Sequence, residues 1–116
     1  MPAAPTASPT SAPYHVYVIE LPESVGGDPK VRRRNLQRNL ARPCVYVGQT
    51  AKDPETRLDE HRRGYKANAF VHAHGGELMT ELCVALPEGS TRDDALRVEE
   101  RVARQLRRRG FGVWWG

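Results

Sequence analysis

Residues 45–64, VYVGQTAKDPETRLDEHRRG, change periodicity within a few positions and so restrict the folds open to the chain. A β-branched and aromatic run with the period of a strand stops at Gly48. Asp53-Pro54-Glu55 then follow as an N-cap, a first-turn proline and an acidic first-turn residue, a strong helix start. A helix running to about Gly64 stacks Arg57 and His61, four residues apart, on one face. Such a strand-to-helix unit calls for a sheet with helices packed on it.

The rest of the chain supplies the other elements. YHVYVIEL (14–21) reads as a strand with Tyr14, Val16 and Val18 on one face and His15, Tyr17 and Ile19 on the other, and CVYVGQT (44–50) as a second strand. Between them LPESVGGDP breaks the first strand. A basic segment at 30–42 has Val31, Leu36 and Leu40 spaced loosely like a helix before Pro43 ends it. ANAFVHAH (67–74) predicts a short helix ended by Gly75-Gly76, and GELMTELCVAL (76–86) a third strand. Thr91 with Asp94 resembles a capping box opening a helix to about Arg109, on which Ala95, Val98, Val102 and Leu106 form an apolar stripe. FGVWW follows as a short tail. The expected fold class is α+β, a three-stranded antiparallel sheet flanked by helices.

At 116 residues with 39% hydrophobic residues, the chain has the size of one domain. Residues 1–13, with four prolines and no charged side chain, read as a disordered tail, leaving 14–116 as the folded unit. No apolar run approaches the roughly 20 residues that span a bilayer, and the N-terminus lacks a signal-peptide pattern, so a cytoplasmic protein with no membrane partner is expected. Cys44 and Cys83 have no partner at metal-site spacing and read as buried free thiols. Net charge is +4. Its distribution says more: residues 30–42 hold six basic side chains and no acidic one, and residues 97–109 hold six arginines against two glutamates. Clusters of this kind suit a phosphate backbone, because each neutralised phosphate releases counterions.

Val16-Tyr17 and Tyr46-Val47-Gly48 resemble the two signature strands of the GIY-YIG nuclease superfamily. The similarity continues through Gln49-Thr50, through Arg57 one turn into the next helix, through the His-x-x-Gly of His61 and Gly64, and through the Ala-x-x-x-Glu of Ala95 and Glu99. It covers residues 14 to about 113. Three departures stand out: His15 occupies the family's glycine position, the segment at 22–43 is unusually long and basic, and the asparagine often found after the last helix is missing.

The resemblance implies a metal-dependent endonuclease that hydrolyses phosphodiester bonds in DNA. Its catalytic residues would be Tyr17, Tyr46, Arg57, His61 and Glu99. Arg57 can donate two hydrogen bonds to a phosphate. Glu99 would be the single protein ligand of Mg²⁺ or Mn²⁺, favoured over Glu100, which points about 100° away on the helix. Tyr17, Tyr46 or His61 would orient or deprotonate the attacking water, since a phenol near its ordinary pKa of about 10 needs a nearby cation to act as a base. Lys30, Arg32, Arg33, Arg34, Arg38 and Lys66 would contact the nucleic-acid backbone. Read without their neighbours, the two tyrosines also suit sheet packing, Arg57 a bridge to Asp53 or Glu60, and His61 a cap. His72 and His74 fall on different helix faces, and Trp114 and Trp115 suit base stacking or the core edge. The alternative is a catalytically weak or inactive nucleic-acid-binding module on the same scaffold. Specificity would come from DNA structure, a homodimer or a protein partner, in repair, phage defence, mobility or RNA processing.

Overall fold

The computed structural model describes residues 14–74 and 76–115. The expected tail at 1–13 and the helix-ending Gly75 lie outside them. Strand β1 (His15–Leu21) pairs antiparallel with β2 (Cys44–Thr50) in one unbroken register, from His15 opposite Thr50 to Leu21 opposite Cys44. The β-branched residues suit this pleated, fully covered surface, and Val16, Val18, Val45 and Val47 are wholly buried.

The sheet is not three antiparallel strands. It has four in the order β3-β1-β2-β4, and β4 (Gly112–Trp115) runs parallel to β2. The short FGVWW tail becomes this strand because Gly110, at φ 93°, reverses the chain after the last helix. Its outer edge is then completed by a side chain. The Asn35 amide donates to the Val113 carbonyl at 2.9 Å and accepts from the Val113 N–H at 2.8 Å, as a neighbouring strand would.

The predicted strand at 76–86 contracts to β3 (Val84–Ala85), with an isolated bridge between Leu78 and Ile19 and a 3₁₀ turn at Thr80–Leu82. The reason is its period. Met79 and Leu82 pack with the residues on one face of the sheet and Leu78 and Cys83 with those on the other, so the segment wraps the β1 edge instead of extending it. The segment between β1 and β2 also differs from the expected helix. It forms α1 (Glu23–Gly26) and α2 (Pro29–Arg34), the latter capped by the Asp28 side chain, and leaves the helix at Asn35 where that residue turns to β4.

Helices α3 (Pro54–Arg62), α4 (Ala69–His74) and α5 (Arg92–Arg108) follow the predicted positions. Asp53 caps α3, and Thr91 and Asp94 close both halves of the capping box on α5. On α5 the buried line is Ala95, Glu99, Ala103 and Leu106, with Val98 and Val102 flanking it. A carboxylate thus sits in the middle of the face that docks on the sheet. The other face of the sheet carries Tyr17, Ile19 and Tyr46 against Leu58 of α3 and Val71 of α4. Cys44 is buried, Cys83 half-buried, and both are free thiols.

Candidate active site

Tyr17 and Tyr46 project from adjacent strands onto the α3 side, since residues of one parity share a face. His61 of α3 meets them there. The three rings lie 5.5 to 6.2 Å apart by centroid, and all three are largely buried. Tyr17 Oη and His61 Nε2 are 2.8 Å apart.

The backbone fixes the direction of this bond. The Asn68 N–H donates to His61 Nδ1 at 3.1 Å, so in the neutral ring the proton resides on Nε2, which donates to Tyr17. Burial, assisted by the nearby Arg57 charge, lowers the His61 pKa to about 4 and keeps the ring neutral. Burial also raises the Tyr17 pKa, with Tyr46 adding to the effect and Arg57 opposing it. Tyr46 is raised by burial and then by Glu99, while Arg57 and the Tyr17 hydroxyl favour its ionised form. A directed chain of donors therefore runs from the Asn68 amide through His61 and Tyr17 toward Tyr46.

Arg57 is held from three sides. Nη1 donates to Glu60 Oε1 and to the Tyr65 carbonyl, both at 3.1 Å, and Nη2 donates to the Lys66 carbonyl at 2.7 Å. These carbonyls curl back over the helix end because Gly64 takes φ 83° and Lys66 φ 45°. Lys66 thus contributes a backbone oxygen, with its ammonium beside the Tyr65 ring. Three of the five guanidinium donors are used, and the remainder reaches toward the Tyr17 phenol. Glu60 in turn pairs with Lys52, and the two cations hold its carboxyl below the usual range.

Glu99 enters from the opposite layer. Its carboxylate lies near the Gln49 backbone N–H at the end of β2 and close enough to act on both tyrosines. Burial raises its pKa to about 7, against weaker lowering by Arg92 and the Gln49 amide. Among the described residues no ion pair reaches it. Glu100, by contrast, is exposed and paired with Arg104. A buried carboxylate short of compensating charge is a fitting ligand for a hard cation that keeps other oxygens in its shell. Among the described residues no cluster of three or more His, Cys, Asp or Glu side chains provides a closed metal cage.

His15 lies on the Tyr17 face of β1, with Nδ1 buried and lacking a hydrogen-bond partner among the described residues. Trp114, on the Tyr46 face of β4, has Phe70 against it edge-on and the Arg34 guanidinium 4.1 Å from its ring. Trp115 is covered by Arg107 on the other face.

The structure thus gathers the five predicted residues Tyr17, Tyr46, Arg57, His61 and Glu99 into one network. The six predicted backbone contacts are not equivalent. Lys30, Arg32 and Arg33 are exposed on α2, whereas the Arg38 side chain is 8% exposed and forms a two-point ion pair with Glu23. Its guanidinium is committed to holding the insertion. Lys52 and Asn68 carried no sequence signal of their own, because their roles depend on where the loops after β2 and α3 return. Glu60 was legible only as an i+3 partner of Arg57. His72 and His74 form no joint site; His72 Nδ1 lies 3.3 Å from the His61 carbonyl.

In comparison with known families, residues 36–111 match the model described as the GIY-YIG catalytic domain. The matched span holds Tyr46, Arg57, His61 and Glu99, while Tyr17 lies before it. No curated protein and no solved structure matches. No described helix is long and apolar enough to cross a membrane.

Proposed function

The chain belongs to the GIY-YIG family, a family of nucleases, and from that premise we propose that it is an endonuclease hydrolysing phosphodiester bonds in DNA with a divalent cation, Mg²⁺ or Mn²⁺. The observation that carries the reading is the buried hydrogen bond between Tyr17 and His61, with its direction set by Asn68, next to Tyr46, Arg57 and Glu99. Structural packing alone gives no reason to bury an unpaired carboxylate beside two phenols.

The residues divide the work of phosphodiester hydrolysis. Arg57, pre-positioned by Glu60 and two carbonyls and reaching Tyr17 with one further donor, presents the last to a nonbridging oxygen and stabilises the charge that develops there. His61 stays neutral and donates to Tyr17, which is thereby directed to donate to Tyr46. Burial and the nearby Glu99 keep Tyr46 protonated, so its hydroxyl accepts a hydrogen bond from the attacking water and orients it. Glu99 would hold the cation. When bound, the ion would offset charge on the phosphoryl oxygens and on the departing oxygen and lower the pKa of nearby phenols. The exposed Lys30, Arg32 and Arg33 would hold the DNA backbone.

Purified protein incubated with supercoiled plasmid and Mg²⁺ or Mn²⁺ should yield nicked and then linear product, and Arg57→Ala and Glu99→Ala should abolish both. Absence of product, or equal cutting by the variants, rejects the reading. One observation favours a second reading, a module that binds nucleic acid without cutting it. The His15 imidazole, whose Nδ1 has no partner among the described residues, stands at the family's glycine position two residues before Tyr17. That reading expects salt-sensitive binding retained in Glu99→Ala without cleavage.

A further inference from the structure

The insertion between β1 and β2 departs from the amphipathic helix its spacing suggests in a way that cleavage does not explain. Val31 is buried, but Leu36 and Leu40 are 88% and 78% exposed, more than any other large apolar side chain among the described residues. They rim a groove of about 470 Å³ with Pro29, Arg32 and Arg33.

The loop carrying them is firmly tied. Asn35 docks on Val113, Asn39 N–H donates to the Gly110 carbonyl at 2.8 Å, and Arg38 clamps Glu23 while donating to the Arg42 carbonyl. Asn39 further accepts from the Ala41 and Arg42 amides. Two leucines are thus held out into solvent on a braced loop, where tying costs entropy and exposure wastes apolar area. The surround identifies the occupant. Lys30, Arg32 and Arg33 stand exposed there with no ion pair among the described residues, and the whole of residues 30–42 holds no acidic side chain, a complement to a polyanion.

We propose that this insertion is a wedge for a DNA duplex: Lys30, Arg32 and Arg33 grip the phosphate backbone while Leu36 and Leu40 enter between base steps, unstacking and bending the duplex. The proposal rests on DNA as the substrate. Because the insertion joins the strands that carry Tyr17 and Tyr46, the kink is held in fixed relation to the phosphate that reacts. Flexible, mismatched or branched steps deform most easily, so the wedge selects DNA by structure rather than by base-edge readout.

The test titrates Glu99→Gln protein into duplexes carrying 2-aminopurine at successive positions, with and without a mismatch. Fluorescence should rise at one or two adjacent steps. Leu36→Ser with Leu40→Ser in the same background should remove that rise and weaken binding about tenfold, with the salt dependence unchanged. Leu36→Phe should keep the rise. Lys30→Ala, Arg32→Ala and Arg33→Ala should instead flatten the salt dependence. The wedge is overturned if no position responds, if the serine variants unstack like the parent, or if the leucines govern only the association state of free protein in sedimentation. Plasmid cutting by the unmodified chain is scored separately. A protein that cuts without unstacking rejects the wedge alone, and one that unstacks without cutting supports the wedge and rejects the cleavage.

Discussion

Tyr17 and Gly48 are direct partners across the β1–β2 ladder, and the phenol of Tyr17 lies over the α-carbon of Gly48. A Cβ at Gly48 would overlap the Tyr17 hydroxyl, come 2.6 Å from Tyr17 Cζ and 3.0 Å from Tyr46 Cε2. The glycine of the second signature strand is therefore the space in which the first signature tyrosine meets His61. Backbone freedom is not the issue, since an ordinary strand conformation holds there.

Gly48→Ala should accordingly displace the Tyr17 ring and break its bond to His61. Overpacking of this kind costs about 1–3 kcal/mol, and misplacing a catalytic group lowers rate by about a hundredfold. Urea melts and plasmid nicking measure the two effects. Tyr17→Phe should retain stability within about 1 kcal/mol yet lose comparable activity, because it removes only the hydroxyl of the donor chain.

Glu60 anchors Arg57 through a 3.1 Å ion pair. Glu60→Gln should keep the chain folded and lower kcat by about tenfold with little change in KM, since the guanidinium loses an ionic anchor but keeps two carbonyls. Lys52→Met should have a smaller effect in the same direction. If Glu60→Gln raises KM and leaves kcat unchanged, Arg57 acts in ground-state binding instead.

Cleavage should depend on pH through Glu99. Its carboxyl titrates near 7 in the folded chain, against an ordinary value of 4.5. A cation bound at Glu99 would have to displace that proton, so metal affinity and cleavage at limiting cation should rise through pH 7, and added cation should move the midpoint lower. Without metal the folded state binds more protons than the unfolded chain between these values. The associated stability is complete below pH 4.5 and is lost as pH rises toward 7. Glu99→Gln should remove the stability inflection, read from urea melts at successive pH values.

His61 acts in the opposite sense. Its folded pKa of about 4 lies below the ordinary 6.5. Stability from the neutral ring is present above pH 6.5 and lost as pH falls toward 4, by roughly 2 kcal/mol after allowance for screening. Urea unfolding between pH 4 and 7 in a Glu99→Gln background isolates this slope, and His61→Asn should flatten it.

Arg38 and its basic neighbours should separate in solution. Arg38→Met should lower Tm by about 5 °C through loss of the Glu23 clamp, while leaving the salt dependence of DNA binding unchanged. Lys30→Ala should do the reverse, reducing the slope of log affinity against log salt by about one and leaving Tm unchanged.

Locally encoded features were open to reading from the sequence. The Asp53 and Thr91 caps start helices through bonds spanning two or three residues, the alternation in 14–21 and 44–50 assigns faces to Tyr17 and Tyr46, and the helical repeat puts Arg57 and His61 on one side. A family likeness follows from the same short-range order. Tertiary structure alone decided the parallel strand at Gly112–Trp115, because its pairing with β2 and with the Asn35 amide joins residues 68 and 78 positions apart and leaves no local period. It also decided that Arg38 is structural and Leu36 and Leu40 exposed, since a basic, apolar-spotted segment reads alike whichever side chains the fold happens to enclose. The charge state of Glu99 belongs to the same class. A glutamate on a helix is ordinary in sequence, and only packing that strips its water while leaving it unpaired raises its pKa to about 7.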